Sequence, residues 1–129
     1  MELLHEELTG RIIKSYYKVY NNLGFGFLEK VYENALHYEL LKSGLGCVKQ
    51  QSIEVTYDEI KVGQYFADLI VENTVIVEIK AAEGLVVEHE YQLVNYLKAT
   101  DIEVGLLLNF GKEPAFRRKV FTNKSAVIS

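Results

Sequence analysis

The stretch Phe66-Ala67-Asp68-Leu69-Ile70-Val71-Glu72-Asn73-Thr74-Val75-Ile76-Val77-Glu78-Ile79-Lys80-Ala81 decides the fold. From Val75 to Ala81 every residue is apolar except Glu78 and Lys80, the pattern of a strand buried on both faces at the centre of a sheet. Those two charges sit two apart and project to the same face. An unpaired carboxylate or ammonium in such a strand is costly to desolvate, and a small domain has little stability to spare. The preceding run supplies a third charge, Asp68, on the face that carries Phe66 and Ile70.

Register follows from parity. With Glu72-Asn73-Thr74 as a three-residue hairpin loop, Val71 opposes Val75 and every pair of partners totals 146. Asp68 then faces Glu78 and Phe66 faces Lys80, while Leu69 with Val77 and Ala67 with Ile79 make an apolar opposite face. A two-residue loop would turn Asp68 to the wrong side of the sheet. Two carboxylates directly opposite repel each other. They become useful around a hard divalent cation, because Mg²⁺ is commonly held by one or two carboxylates together with waters and substrate phosphate. A lysine beside them can orient the attacking water or offset charge developing on phosphorus. The spacing therefore predicts metal-dependent phosphodiester chemistry, with a plain Asp/Glu/Lys salt-bridge cluster as the rival.

Outward from this hairpin, residues 3 to 22 read as an amphipathic helix and Leu28 to Lys42 as a second, with Leu28, Val31, Tyr32, Ala35, Leu36 and Leu40 on one side. Asn21-Asn22-Leu23-Gly24-Phe25-Gly26 separates them, and Ser43-Gly44 ends the second. Ile53, Val55 and Tyr57 alternate as a strand that turns at Asp58-Glu59 into another over 61 to 71. Val86 to Ala99 is helical, Val104 to Leu108 is a strand, and a last strand lies around Phe116 to Phe121. Up to Leu108 the order is α-α-β-β-β-α-β, with the last strand after it, a mixed sheet with helices packed on it. The sole proline, Pro114, and the lack of a linker favour one domain over residues 1 to 129.

At about 100° per residue, Glu29 falls on the apolar arc of the second helix, as does Glu39. Glu29 also stands in the first turn, where a carboxylate could reach the sheet edge. On the third helix His89, Gln92 and Tyr96 share a face, which suggests a polar network over a site. His5 and His37 read as solvent-facing, and Cys47 as a small hydrophobe.

Gly26-Phe27-Leu28-Glu29-Lys30-Val31-Tyr32 matches GxxExxY. With FADLIVE, VIVEIKA, YQLVNYLKA and VGLLLNFG following in order, nearly the whole chain resembles the GxxExxY proteins of the PD-(D/E)XK nuclease superfamily. The resemblance implies a restriction-endonuclease-like α/β core. It implies Asp68 and Glu78 as metal ligands aided by the Ile79 carbonyl, with Mg²⁺ or Mn²⁺ as the ion. Lys80 would be the catalytic lysine, Glu29 the helix-borne acid of the metal shell, and Gln92 with Tyr96 the polar pair beside the site.

Composition sets the limits. Hydrophobic residues make up 49% of the 129, and charged residues 25%, which excludes a disordered chain. No apolar run is long enough for a membrane helix, and the N-terminus lacks the order of a signal peptide. A single cysteine excludes an intrachain disulfide and fits a reducing cytoplasm. With 14 Lys+Arg against 18 Asp+Glu, the chain cannot coat nucleic acid by bulk charge. Five basic residues do crowd into 112 to 124, a solvated segment or a phosphate-contacting patch. The expectation is a cytoplasmic metal-dependent nuclease acting on DNA, with RNA second, structure-specific rather than sequence-specific, with a homodimer as the arrangement that would pair two sites. A non-catalytic module of the same fold that binds a protein or nucleic acid is the alternative. A scaffold with a metal-stabilised structural site is a third reading.

Overall fold

The computed structural model describes residues 3–122 of the chain. Helices α1 (Glu6–Leu23) and α2 (Glu29–Lys42) precede strands β1 (Cys47–Tyr57), β2 (Ile60–Val71) and β3 (Val75–Lys80). Helix α3 (Val87–Lys98) and strands β4 (Val104–Phe110) and β5 (Pro114–Val120) follow. The strands form one sheet in the order β1-β2-β3-β4-β5. Only the β3–β4 pair is parallel, joined through α3, and the other three pairs are antiparallel. The first seven elements follow the expected α-α-β-β-β-α-β order, and β5 is the last strand expected around Phe116 to Phe121, beginning two residues earlier at Pro114.

Both hairpin turns are made by residues in the left-handed region. Asp58 and Glu59 both take positive φ, which closes the β1–β2 hairpin with the twist of its strands. Glu72 and Asn73 do the same between β2 and β3, and Val71 pairs with Val75. β3 lies at the centre of the sheet with five of its six residues buried. One face of the sheet packs on α1 and α2 through Ile12, Tyr16, Tyr32, Leu36, Leu69, Val77, Leu106 and Phe110. The other packs on α3 through Ile70, Ile76, Leu107, Leu93 and Leu97. Gly105 allows α3 to lie close, because a Cβ there would come within 2.7 Å of the Leu93 side chain. Leu28 and Val31, expected on the apolar side of α2, are instead exposed, and the buried residues of that helix begin at Tyr32.

The ladder between β2 and β3 keeps the expected register but stops early. Leu69–Val77, Ile70–Ile76 and Val71–Val75 pair, whereas Ala67–Ile79 and Phe66–Lys80 do not. Beyond Leu69, β2 stays with β1, and Phe66 pairs with Ser52 and is exposed. The cause is a turnover of both β1 and β2. Leu69 belongs to the α1/α2 core, yet Ala67, of the same parity, belongs to the α3 core. Cys47 and Ile53 on β1 split between the two cores in the same way. The strands part at Asp68 and Glu78.

Candidate active site

Where the ladder ends, two carboxylates take over its hydrogen bonds. The Asp68 N–H donates to Glu78 Oε2 at 2.8 Å, and the Ile79 N–H donates to Asp68 Oδ2 at 2.8 Å. Each carboxylate is thereby tied to the other strand's backbone. Both are withdrawn from water, Glu78 to 5% exposure. Burial, reinforced by the Asp68 charge, pushes the Glu78 carboxyl up to about 8. Burial also raises Asp68, helped by Glu33 and Glu29 on α2 and opposed by the Ile79 N–H and the Gln50 amide. A buried pair of like charges favours holding a proton or a cation.

Lys80, the last residue of β3, is half-buried and forms no ion pair among the described residues. Its charge opposes the rise of Glu78. The segment after it is fixed by the Asn109-Phe110-Gly111 end of β4. Buried Asn109 accepts the Ala82 N–H and donates to the Ala82 carbonyl, both at 3.0 Å. A Cβ at Gly111 would fall 2.0 Å from that same carbonyl oxygen, so only glycine fits beside it. The VGLLLNFG motif thus holds the exit of the strand that carries Glu78 and Lys80.

GxxExxY has an equally concrete role. The Tyr32 hydroxyl donates to the Gly24 carbonyl at 2.7 Å and accepts the Phe27 N–H at 3.1 Å, which pins the α1–α2 loop. Its ring stacks on Phe110 at 4.4 Å between centroids. Glu29 opens α2 and is exposed, not set in an apolar face. Its charge still reaches Asp68. One turn later on the same face stands Glu33, buried to 4% exposure, and its spacing of four from Glu29 was the available signal for it. Glu33 accepts hydrogen bonds from Lys30 at 3.1 Å and from Gln50 at 2.9 Å.

From the opposite side, α3 brings Tyr96 against the pair. Burial, and then the Glu78 and Asp68 charges, push its hydroxyl up to about 12. Gln92 is exposed and forms no hydrogen bond with Tyr96. The two share a groove of about 660 Å³ between α3 and the β1–β2 hairpin, also lined by Tyr65 and Asn95. His89 does not join the site; its Nδ1 accepts the Val86 N–H at 3.4 Å at the start of α3. His37, expected in solvent, is half-buried with Nε2 3.1 Å from the Cys47 carbonyl. Cys47 is buried, and burial pushes its thiol up to about 11, as suits a small hydrophobe.

Among the described residues no group of three or more His, Cys, Asp or Glu stands ready as a metal cage. The donor set at the strand parting is nonetheless suited to a hard ion, with two carboxylates from facing strands and no sulfur or imidazole. Mg²⁺ needs no more than that from a protein when water and substrate phosphate complete its shell. No helix among the described residues is long and apolar enough to cross a membrane.

A family model described as the PD-(D/E)XK nuclease superfamily matches residues 6–120. No curated protein matches the chain. Among solved structures, the chain is similar to the one described as "Crystal structure of SSO0001", at 19% identity and a TM-score of 0.56, covering 70% of this chain and 48% of that one. That likeness is one of fold, and this chain spans about half the length of that protein.

Proposed function

This chain belongs to the PD-(D/E)XK nuclease superfamily, and from that premise we propose that it hydrolyses phosphodiester bonds of DNA with Mg²⁺ or Mn²⁺. The observation that carries the reading is the crossed anchoring of Asp68 and Glu78 at the parting of β2 and β3. These two residues, with the Ile79 carbonyl, would hold the ion. The bound ion would supply a Lewis acid and a more acidic water.

The chain's own residues do the rest. Asp68 and Glu78 are fixed in place before any ion arrives, so little reorganisation is needed. Lys80 carries the one cation of β3 and acts on the water or on the charge that develops at phosphorus. Glu29 extends the acidic shell from α2. Tyr96 and Gln92 line the groove that leads away from the site and receive the strand there. Recognition of DNA structure rather than base sequence is part of the same reading, because contacts to the backbone position a nucleic acid without reading its bases.

The test is a cleavage panel of single-stranded, duplex, flapped and branched DNA, beside a single-stranded RNA, with each metal and with chelator. Metal-dependent cutting of at least one DNA is expected, and Lys80→Ala should slow it about 100-fold or more, the loss typical of removing one electrostatic stabiliser. If neither ion supports Lys80-dependent cutting of any of them, the non-catalytic binding module becomes the better reading.

A further inference from the structure

Gln50 occupies an unusual place in β1. Its neighbours Lys49 and Gln51 pair with Leu69 and Ala67, so Gln50 lies opposite Asp68, but it has no Cα partner of its own. Its φ is +54°, in the left-handed region that a side chain with a Cβ rarely adopts, and it does so within a strand. Such a conformation persists only where the surroundings require it. The requirement here is visible in the side chain. Gln50 Nε2 donates to Glu33 Oε1 at 2.9 Å and lies 3.4 Å from Asp68 Oδ1. Carboxylates only accept, so it is the NH₂ group that must face both, one hydrogen to each. Glu33 is tied on its other oxygen to Lys30, and Asp68 on its other oxygen to the Ile79 N–H. The amide therefore links α2 to β2 at the one Asp68 oxygen that the β3 backbone leaves over.

We propose that Gln50 is a positioning residue. It orients the Asp68 carboxylate for a divalent cation by clamping it to buried Glu33, and the left-handed turn of β1 exists to aim this amide. The inference rests on Asp68 being a metal ligand. Partners that orient a ligating carboxylate from outside the coordination shell typically change metal affinity by about 10–100-fold.

Two variants of the full chain separate orientation from simple stability. Gln50→Ala removes the amide and keeps the strained backbone, whereas Gln50→Gly removes the amide and relieves it. Mn²⁺ affinity is read by titration calorimetry, and the metal-free melting temperature by circular dichroism. Both variants should lose Mn²⁺ affinity by the same factor, about 10–100-fold, while the glycine variant melts above the alanine variant. Affinity that follows the melting temperatures, or stays within about twofold of wild type in both, overturns the clamp. A wild-type protein that takes up no Mn²⁺ overturns the metal reading of Asp68 and this inference with it. Wild-type binding with unchanged variants overturns the clamp alone.

Discussion

Glu78 is pulled two ways at neutral pH: its burial favours the protonated acid, and its place opposite Asp68 suits a cation. The sign of its effect on folding follows from the raised pKa. The folded protein holds a proton between about 4.5 and about 8 that the unfolded chain has released. Stability from this group is therefore full below about 4.5, falls as pH rises, and levels off above about 8. The loss is on the order of a few kcal/mol. Raised Asp68 contributes in the same direction. The metal-free melting temperature should drop from pH 5 to pH 8, and Glu78→Gln should flatten that slope and melt higher than wild type at pH 8. Mn²⁺ should restore stability more at pH 8 than at pH 6, because binding needs the ionised pair. A melting temperature that climbs over this range would show that the pair is not strained by charge. At this scale the sequence was readable wherever parity decides the answer. Asp68 opposes Glu78 because a three-residue loop permits no other register. Glu33 was hidden because the helical wheel puts Glu29 and Glu39 on the apolar arc, and an arc does not locate the sheet's edge. Gln50 was hidden because a left-handed φ leaves no trace in a run of polar residues.

Helix α2 depends on a single phenol for its starting point. Tyr32 holds Gly24 and Phe27 together across the α1–α2 loop and rests on Phe110, so the loop, α2 and β4 meet at one ring. Replacing it by phenylalanine keeps the stack and deletes both hydrogen bonds, leaving a loop carbonyl and an N–H to find water. Tyr32→Phe should cost about 1–2 kcal/mol, measured by urea unfolding, with an unchanged m-value. A neutral result would mean that the loop is set by packing alone. The elements themselves were legible where periodicity is sustained: α1, α2, α3, β3 and both hairpin turns fall within a few residues of expectation. β1 was the least legible, beginning at Cys47 and not near Ile53. Its polar run Lys49-Gln50-Gln51-Ser52 shows no alternation because the strand turns over within it. The same turnover ends the β2–β3 ladder before Ala67 and Phe66, which simple alternation carries straight on. The departures from regular structure thus gather at the acidic pair, the place where a regular ladder would have left no room for a ligand.

For the molecule as a whole, the net charge of −4 constrains how DNA could be engaged. Setting aside the acids Asp68, Glu78 and Glu29 leaves the rest of the chain at a net of −1. The excess negative charge is therefore concentrated where a divalent ion would offset it. The basic run on β5 does not act as a free patch. Arg117 and Lys119 face Glu90 of α3 at 3.7 and 2.7 Å, and Arg118 donates to the Leu4 carbonyl; Lys124 lies outside the described residues. On β5 each cation already has a partner. With Ca²⁺ as a hard ion in place of Mg²⁺, fluorescence anisotropy on labelled DNA should show binding that requires the metal. Raising salt from 50 to 200 mM should weaken it only about tenfold, the response of about two neutralised phosphates, against a loss of about 10³–10⁵ for a protein that grips six to ten. Glu90→Ala frees Arg117 and Lys119, and it should tighten binding while steepening the salt slope by about one further contact or more. A slope that Glu90→Ala leaves unchanged would place β5 away from the path of the nucleic acid. Tight binding without metal would mean that attraction comes from a surface other than the acidic pair, and the net of −1 outside Asp68, Glu78 and Glu29 makes such a surface hard to assemble.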